Sequence, residues 1–321
     1  WRGKAQYGIH VCTFEDLLIE NVLLKGDKDG VHLGRGKRFT IRNATFQTFD
    51  DAIALNGHDY DVGNPELGWI EDGLVENCHD LADTKERIGY FCRILAGGWR
   101  DWEPGIEVQK SDTVVSGGRL YRVFANPDGA KYKSVTRPVH ETGAQELDGI
   151  KWVMVQNDLT YTAGVRNVTF RSIFLHKPRT GFSIHFDQDK YSRSYYPGST
   201  VPRQEQLRFD DIRVIYEEPS LLFDVWTPVD VLSITNSNLR NNRIRFHGKA
   251  DITDWGTTKI AFSNCVFAHA GALELISNEL PQRRIELQTQ GSVVLHDGFA
   301  ARVSPGPGTI TVRSDLPGLV P

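Results

Sequence analysis

One short design recurs along the chain and restricts the folds open to it. Seven segments each carry an alternating apolar strand, a polar residue that is often Asn, and a second short apolar pair: 14–24, 38–46, 71–78, 165–174, 207–215, 229–239 and 258–267. Asn21, Asn43, Asn77, Asn236 and Asn264 occupy matching places. Asn tolerates the left-handed backbone of a tight bend and bonds its own turn. Stacked copies could also join side chain to side chain in a ladder. Apart from one long interruption, the spacing is about 22 to 40 residues, and no long amphipathic helical pattern accompanies it. A period of this size without helices predicts an all-β solenoid, in which stacking neighbours buries the Ile, Val, Leu and Phe of each coil. A β-sandwich is the competing fold, but the two-residue hairpin signals that it needs are scarce.

The interruption runs over 99–163, dividing the chain into 1–98, 99–163 and 164–321. It concentrates Trp99, Trp102, Tyr121, Tyr132 and Trp152, and Gly117-Gly118 lies between two β-prone runs, as in a hairpin. This reads as a small β-module inserted in a solenoid loop. Its Trp and Tyr spacing resembles that of small chitin-type carbohydrate-binding modules. Aromatics in such a module form either its core, which is the commoner use, or a sugar platform.

The 321 residues are 40% hydrophobic with a net charge of −4, so a large core is possible. The charge balance gives no support to nucleic-acid binding, which needs a basic excess. No apolar run approaches the about 18 residues of a membrane span. Cys12, Cys78, Cys92 and Cys265 are far apart and lack zinc-site spacing, so buried free thiols are expected. The chain opens at Trp1-Arg2-Gly3, as a trimmed or partial chain would.

Chemistry concentrates near the start. Asp29 opens the run Val31-His32-Leu33, and Asp50-Asp51 opens Ala52-Ile53-Ala54-Leu55, 21 and 22 residues further on. In successive coils these three carboxylates become neighbours. Like charges raise one another's pKa, and reactions needing one protonated and one ionised carboxyl use such groups. If apolar residues face inward, the outward lane across the coils reads His10, His32, Ala54, Arg93, His185, Asp224, Arg245 and Glu274. His58, Asp59 and Asp61 follow the third strand. Such a lane is either a binding groove or a salt-bridged structural face. Arg93 fits both readings, holding a substrate oxygen or pairing with Asp51.

Asp29-Gly30 and Asp50-Asp51-Ala52-Ile53-Ala54, one coil apart, resemble the N-T-D-G and G-D-D-C-I-A motifs of polygalacturonase-type glycoside hydrolases (family 28). Those enzymes belong to the pectin-lyase-like right-handed parallel β-helix group. Asp27-Lys28 replaces Asn-Thr, Phe49 replaces Gly, and Ala52 replaces Cys. Arg93-Ile94 echoes the family's R-I-K, with Leu95 in place of the lysine that helps hold the substrate carboxylate; no G-H-G stands at the expected place. The resemblance implies an inverting glycosidase of a secreted or periplasmic kind, acting on a carbohydrate without a cofactor. Asp50 would be the general acid, while Asp29 and Asp51 would hold the attacking water. His32, His58, Arg93, His185 and Trp99 would bind substrate, with Trp102 and Trp226 as further stacking candidates. The missing lysine favours a sugar other than galacturonate. A calcium-assisted polysaccharide lyase and a non-catalytic, tail-spike-like carbohydrate binder are the rival classes. No nucleic-acid or membrane partner is expected.

Overall fold

A computed structural model describes the chain except residues 1, 4–6, 60–63, 82–88, 125, 128, 189–191, 248–251, 253, 280–281, 297, 299, 305–308, 317–318 and 320–321. Among the described residues every regular element is a β-strand, and no helix is long and apolar enough to cross a membrane. Two long sheets dominate, one of fourteen strands and one of nine, and every strand pair within them is parallel. The chain visits them alternately. Asp29–Leu33, Ile53–Asn56, Cys92–Leu95, Phe182–His185, Leu221–Val225 and Arg243–Phe246 are laid down side by side in the nine-stranded sheet. Gly36–Thr48, Ile70–Asp80, Val165–Leu175 and Glu205–Val214 do the same in the larger one. Parallel sheets of this kind need apolar cover, and here each sheet turns its apolar residues toward a shared core.

That core is built in columns. Val31, Ile53, Cys92 and Phe182 pair in register, as do Leu33, Leu55, Ile94 and Ile184. Phe170, Phe182, Phe209 and Phe223 form a continuous set of ring contacts through the middle, with centroids 4.6 to 5.3 Å apart. Edge-on and offset ring pairs of this sort add stability beyond the area that they bury.

The recurring Asn residues sit where the backbone bends. Asn21, Asn43, Asn77, Asn236 and Asn264 all have φ between 50° and 56°. Their side chains form the expected ladder: Asn43 Nδ2 donates to Asn21 Oδ1 at 3.2 Å, Asn77 Nδ2 to Asn43 Oδ1 at 2.9 Å, and Asn264 Nδ2 to Asn236 Oδ1 at 3.3 Å. Ser172 and Asp211 take the same corner on intervening strands, where Ser172 Oγ donates to Asp211 Oδ2 at 3.0 Å.

The described residues of 97–163 contribute no strand to either long sheet; Cys92–Leu95 pairs directly with Phe182–His185. Gly97–Gly98 and Thr162–Ala163 pair at the entry and exit. Between them lies a five-stranded sheet with its own apolar cluster. Its hairpin turns at Gly117-Gly118, both with positive φ, as a two-residue loop requires. Trp102, Tyr121 and Trp152 are buried in that cluster and Tyr132 packs against it. These aromatics are core rather than platform. All four cysteines are free thiols; Cys78, Cys92 and Cys265 are buried and Cys12 is half-buried.

The ladder predicts an ordering of variants at one corner. Asn43→Val should cost about 2 kcal/mol, because a β-branched residue is strained at positive φ and the side-chain bonds are lost. Asn43→Gly should cost about 1 kcal/mol, since it loses the bonds but not the backbone conformation. Urea denaturation midpoints check the order, and equal midpoints would remove the ladder's role.

Candidate active site

Backbone pairing brings the aspartates together. Asp29 is the first residue of Asp29–Leu33, and Asp50-Asp51 immediately precedes Ile53–Asn56. Gly30 N–H donates to Asp51 O at 2.9 Å, and Val31 N–H to Ala52 O at 3.0 Å. A side chain at position 30 would not fit, because its Cβ would stand 2.6 Å from Ala52 O and 2.7 Å from the Phe46 ring. One carboxylate oxygen from each of Asp29, Asp50 and Asp51 lies within 4.8 Å of the others. Asp51 is 2% exposed and accepts from Tyr90 N–H at 2.8 Å. Asp50 is the most open of the three, with 27% of its side chain exposed and Lys28 Nζ 4.0 Å away.

Buried carboxyls this close cannot all ionise freely. Burial, then the Asp50 charge, pushes Asp29 up to about 7, against the opposing pull of Arg93. Burial, then the Asp29 charge, pushes Asp51 well above the usual carboxylate range. Strongly interacting sites titrate as a unit, so the proton belongs to the cluster rather than to one residue.

The segment carrying Asp50 is fixed from below by residues not read as part of the site. Arg179 donates to both oxygens of Asp80 at 2.9 and 2.8 Å and to Asp50 O at 2.7 Å, and both side chains are buried. A separation of 99 residues between Arg179 and Asp80 leaves no local signal of this pair.

The remaining expected residues divide sharply. His32 is in the lane but only 1% exposed, so it stands behind the aspartates rather than in a groove. Its Nδ1 is 3.0 Å from Asp29 Oδ2 and its Nε2 is 3.4 Å from Asp59 Oδ2, while its ring packs on Tyr7 and His10. Burial lowers its pKa to about 4, which makes it a neutral bridge between two carboxyl groups. Arg93 lies across from Ala54 and pairs with Asp187, not with Asp51. Burial disfavours both charges of that pair, but their mutual attraction prevails, holding Asp187 below the usual range and Arg93 above its own. His185 joins them, with Nε2 3.2 Å from Asp187 Oδ1. Asp187 could have been found from alternation, two residues beyond His185 on the same face.

Register corrects the lane. Phe182 pairs with Cys92, so Ser183 rather than His185 stands beside Arg93, and His185 is two pairs further along, opposite Leu95. The pairing of Arg243–Phe246 with Ala272–Asn278 likewise puts Ser277, not Glu274, beside Arg245. Phe186 leaves the main core for a cluster with Tyr195 and Trp255. His58 and Trp99 do not reach a groove either. His58 is fully buried with Nε2 3.2 Å from Thr113 Oγ1, and burial pushes its pKa down to about 3. Trp99 is 1% exposed, packed under the small sheet, with Nε1 donating to Thr160 O at 2.6 Å. Both close the junction with residues 97–163, where buried aromatic mass is needed and the sequence offered no way to see the partner surface. Trp226 is half-buried against His247. Asp61 lies outside the described residues.

Searched against known protein families and against curated proteins, the sequence matches none.

The cluster should make stability fall with rising pH. Carboxyls held above their ordinary 3.8 bind protons more tightly in the folded chain, so their contribution is complete below about pH 4 and is lost as pH rises through about 7. Asp29→Asn should therefore raise the melting temperature at about pH 8 and change it little at about pH 4. Thermal melts across that range check the sign, and a larger gain at the acid end would refute it.

Proposed function

We propose that this chain is a right-handed parallel β-helix of the pectin-lyase-like kind and a glycoside hydrolase acting on an oligo- or polysaccharide. Two in-step parallel sheets with bends at matching Asn residues support the solenoid. The observation that carries the activity is the set of three carboxyl groups, Asp51 buried and Asp29 and Asp50 half-buried, gathered at the edge of a polar sheet face, with Asp29 and Asp51 held above the usual carboxylate range. Such a group holds a proton near neutral pH and keeps a base beside it, which is what glycosidic hydrolysis needs.

In this reading Asp50 delivers the proton to the leaving oxygen, because it is the most exposed of the three and draws on a cluster that retains a proton. Asp29 and Asp51 hold the attacking water, and whichever of them has passed its proton to Asp50 is left ionised and accepts the proton of that water. His32 orients Asp29, and Tyr90 N–H orients Asp51. Arg93, held by Asp187 and His185, faces sugar oxygens further along. The motif resemblance favours inversion. The nearest oxygens, within 4.8 Å, are closer than the about 6.5–9.5 Å usual between inverting carboxyls and nearer the about 5–5.5 Å of retaining ones. Retention is thus the second reading, and the anomer first formed, observed by NMR, separates the two.

Asp50→Asn should lower turnover at least a hundredfold with the fold intact, a loss of the size expected for a general acid. The measurement is reducing-sugar release from a panel of plant, algal and host glycans, with circular dichroism as the control. Unchanged turnover would remove Asp50 from the mechanism. A product absorbing as an unsaturated uronate, and lost with chelator, would replace hydrolysis by elimination.

A further inference from the structure

Beyond Arg93 the same sheet face carries a second cluster. Trp226 N–H donates to Ile184 O at 2.7 Å, His247 N–H to Val225 O at 2.8 Å, and Glu279 N–H to Phe246 O at 2.9 Å. These bonds set Trp226, His247 and Glu279 next to one another at the ends of three consecutive strands. Asp224 and Arg245, two residues earlier on their strands, share that face. The indole of Trp226 and the imidazole of His247 stack with centroids 3.7 Å apart and planes 13° from parallel. Asp224 locks the pair. It accepts from His247 Nε2 at 2.6 Å and lies 3.3 Å from Arg245 Nε, and it also takes a bond from Trp226. His247 Nδ1 reaches Glu279 Oε2 at 3.1 Å. Trp226 remains half-buried, while the Arg245 and Glu279 side chains are 38% and 53% exposed.

The Trp226 strand stands three strand spacings, about 14 Å, across the sheet from Ile53–Asn56, and Trp226 is level with Asn56, at the opposite end of that strand from Asp50-Asp51. A rigid aromatic pair edged by exposed hydrogen-bonding groups suits a sugar ring, which has apolar C–H faces and a rim of hydroxyls. Arg245 is drawn onto Asp224 and Glu279 meets His247, and of these two exposed charges beside the rings Glu279 is the more open. A uronate carboxylate would meet it as a like charge, whereas hydroxyls would donate to it.

We infer that Trp226, His247 and Glu279 form a remote subsite for an uncharged sugar ring, so that the substrate is an extended chain lying across at least four strands. The inference rests on the proposed hydrolase reading for its connection to the carboxylates, but the site itself is tested by binding.

The probes are neutral β-galactan and xylan oligosaccharides and oligogalacturonate, each as disaccharide and hexasaccharide, titrated calorimetrically into the Asp50→Asn protein. A neutral hexasaccharide should bind, and adding Trp226→Ala should weaken it about tenfold, as loss of one aromatic stack would. Trp226→Phe, which keeps a ring, should lose much less, and this separates stacking from misfolding. The neutral disaccharide should be affected less than the hexasaccharide. Oligogalacturonate should bind more weakly, and Glu279→Gln should narrow that gap. Equal losses at both chain lengths, no loss with Trp226→Ala, no binding of any neutral probe, or a preference for oligogalacturonate would each overturn the subsite. Binding without turnover by the wild-type chain would instead overturn the hydrolase reading and leave the subsite standing.

Discussion

The hydrogen bond from Gly30 N–H to Asp51 O is the constraint on which the site depends. It fixes the register of two neighbouring strands at the point where each begins. Because Asp29 adjoins Gly30, and Asp50 adjoins Asp51, this one pairing determines that the carboxylates converge rather than alternate along the sheet. The absence of a Cβ at position 30 lets the backbones approach this closely. A slip of one residue would send every side chain of the strand to the opposite face, exchanging His32 for the core residues Val31 and Leu33. The apolar columns below prevent that slip. The same residues that fill the core thus set the separation of the charges above it.

Convergence carries an energetic penalty that the surroundings reduce without removing. Three carboxyls in partial burial are relieved by proton retention, by Tyr90 N–H and by the nearby Arg93 charge. Arg93 is itself held by Asp187, and Asp187 by His185. Buried Arg179 and Asp80 tie the Asp50 backbone to the opposite sheet from below. Two charge networks, one above and one below, therefore hold a local arrangement that repulsion would otherwise open. Structural features that retain such repulsion without an evident gain in stability are where function is most sensibly sought.

Much of the fold could be read from the chain because its signal is repetitive and local. Alternation identified the inward rows correctly at Val31, Leu33, Ile53, Leu55, Ile94 and Ile184, and the recurring Asn marked the corners by the one property, tolerance of positive φ, that the corners require. The aspartates were legible for the same reason, lying at equivalent points of adjacent repeats. What failed was whatever depends on long-range register or on cover. His185 was placed beside Arg93, although the pairing of Phe182 with Cys92 puts Ser183 there, and nothing within either strand encodes that choice across the long insertion. His58 and Trp99 look exposed in a linear reading and are buried, because the surface that covers them comes from residues 97–163. Arg179 and Asp80 were invisible because their meaning lies in a contact spanning 99 residues.

The position of Leu95 bears on the substrate. In the resembling enzymes a lysine there meets the substrate carboxylate; here Leu95 is fully buried, between Asn56 and His185 on neighbouring strands. Arg93, two residues earlier on the same strand, already has a carboxylate partner in Asp187, with His185 completing the group. A uronate entering the lane would have to compete with Asp187 for that guanidinium while approaching three further aspartates. A hydroxyl would face no such competition, since it can donate to a second lone pair of a carboxylate oxygen that already has one partner. On the proposed hydrolase reading, the charge arrangement would oppose an acidic sugar at the two places where the lane is most elaborated, around Arg93 and around Glu279, through different residues at each.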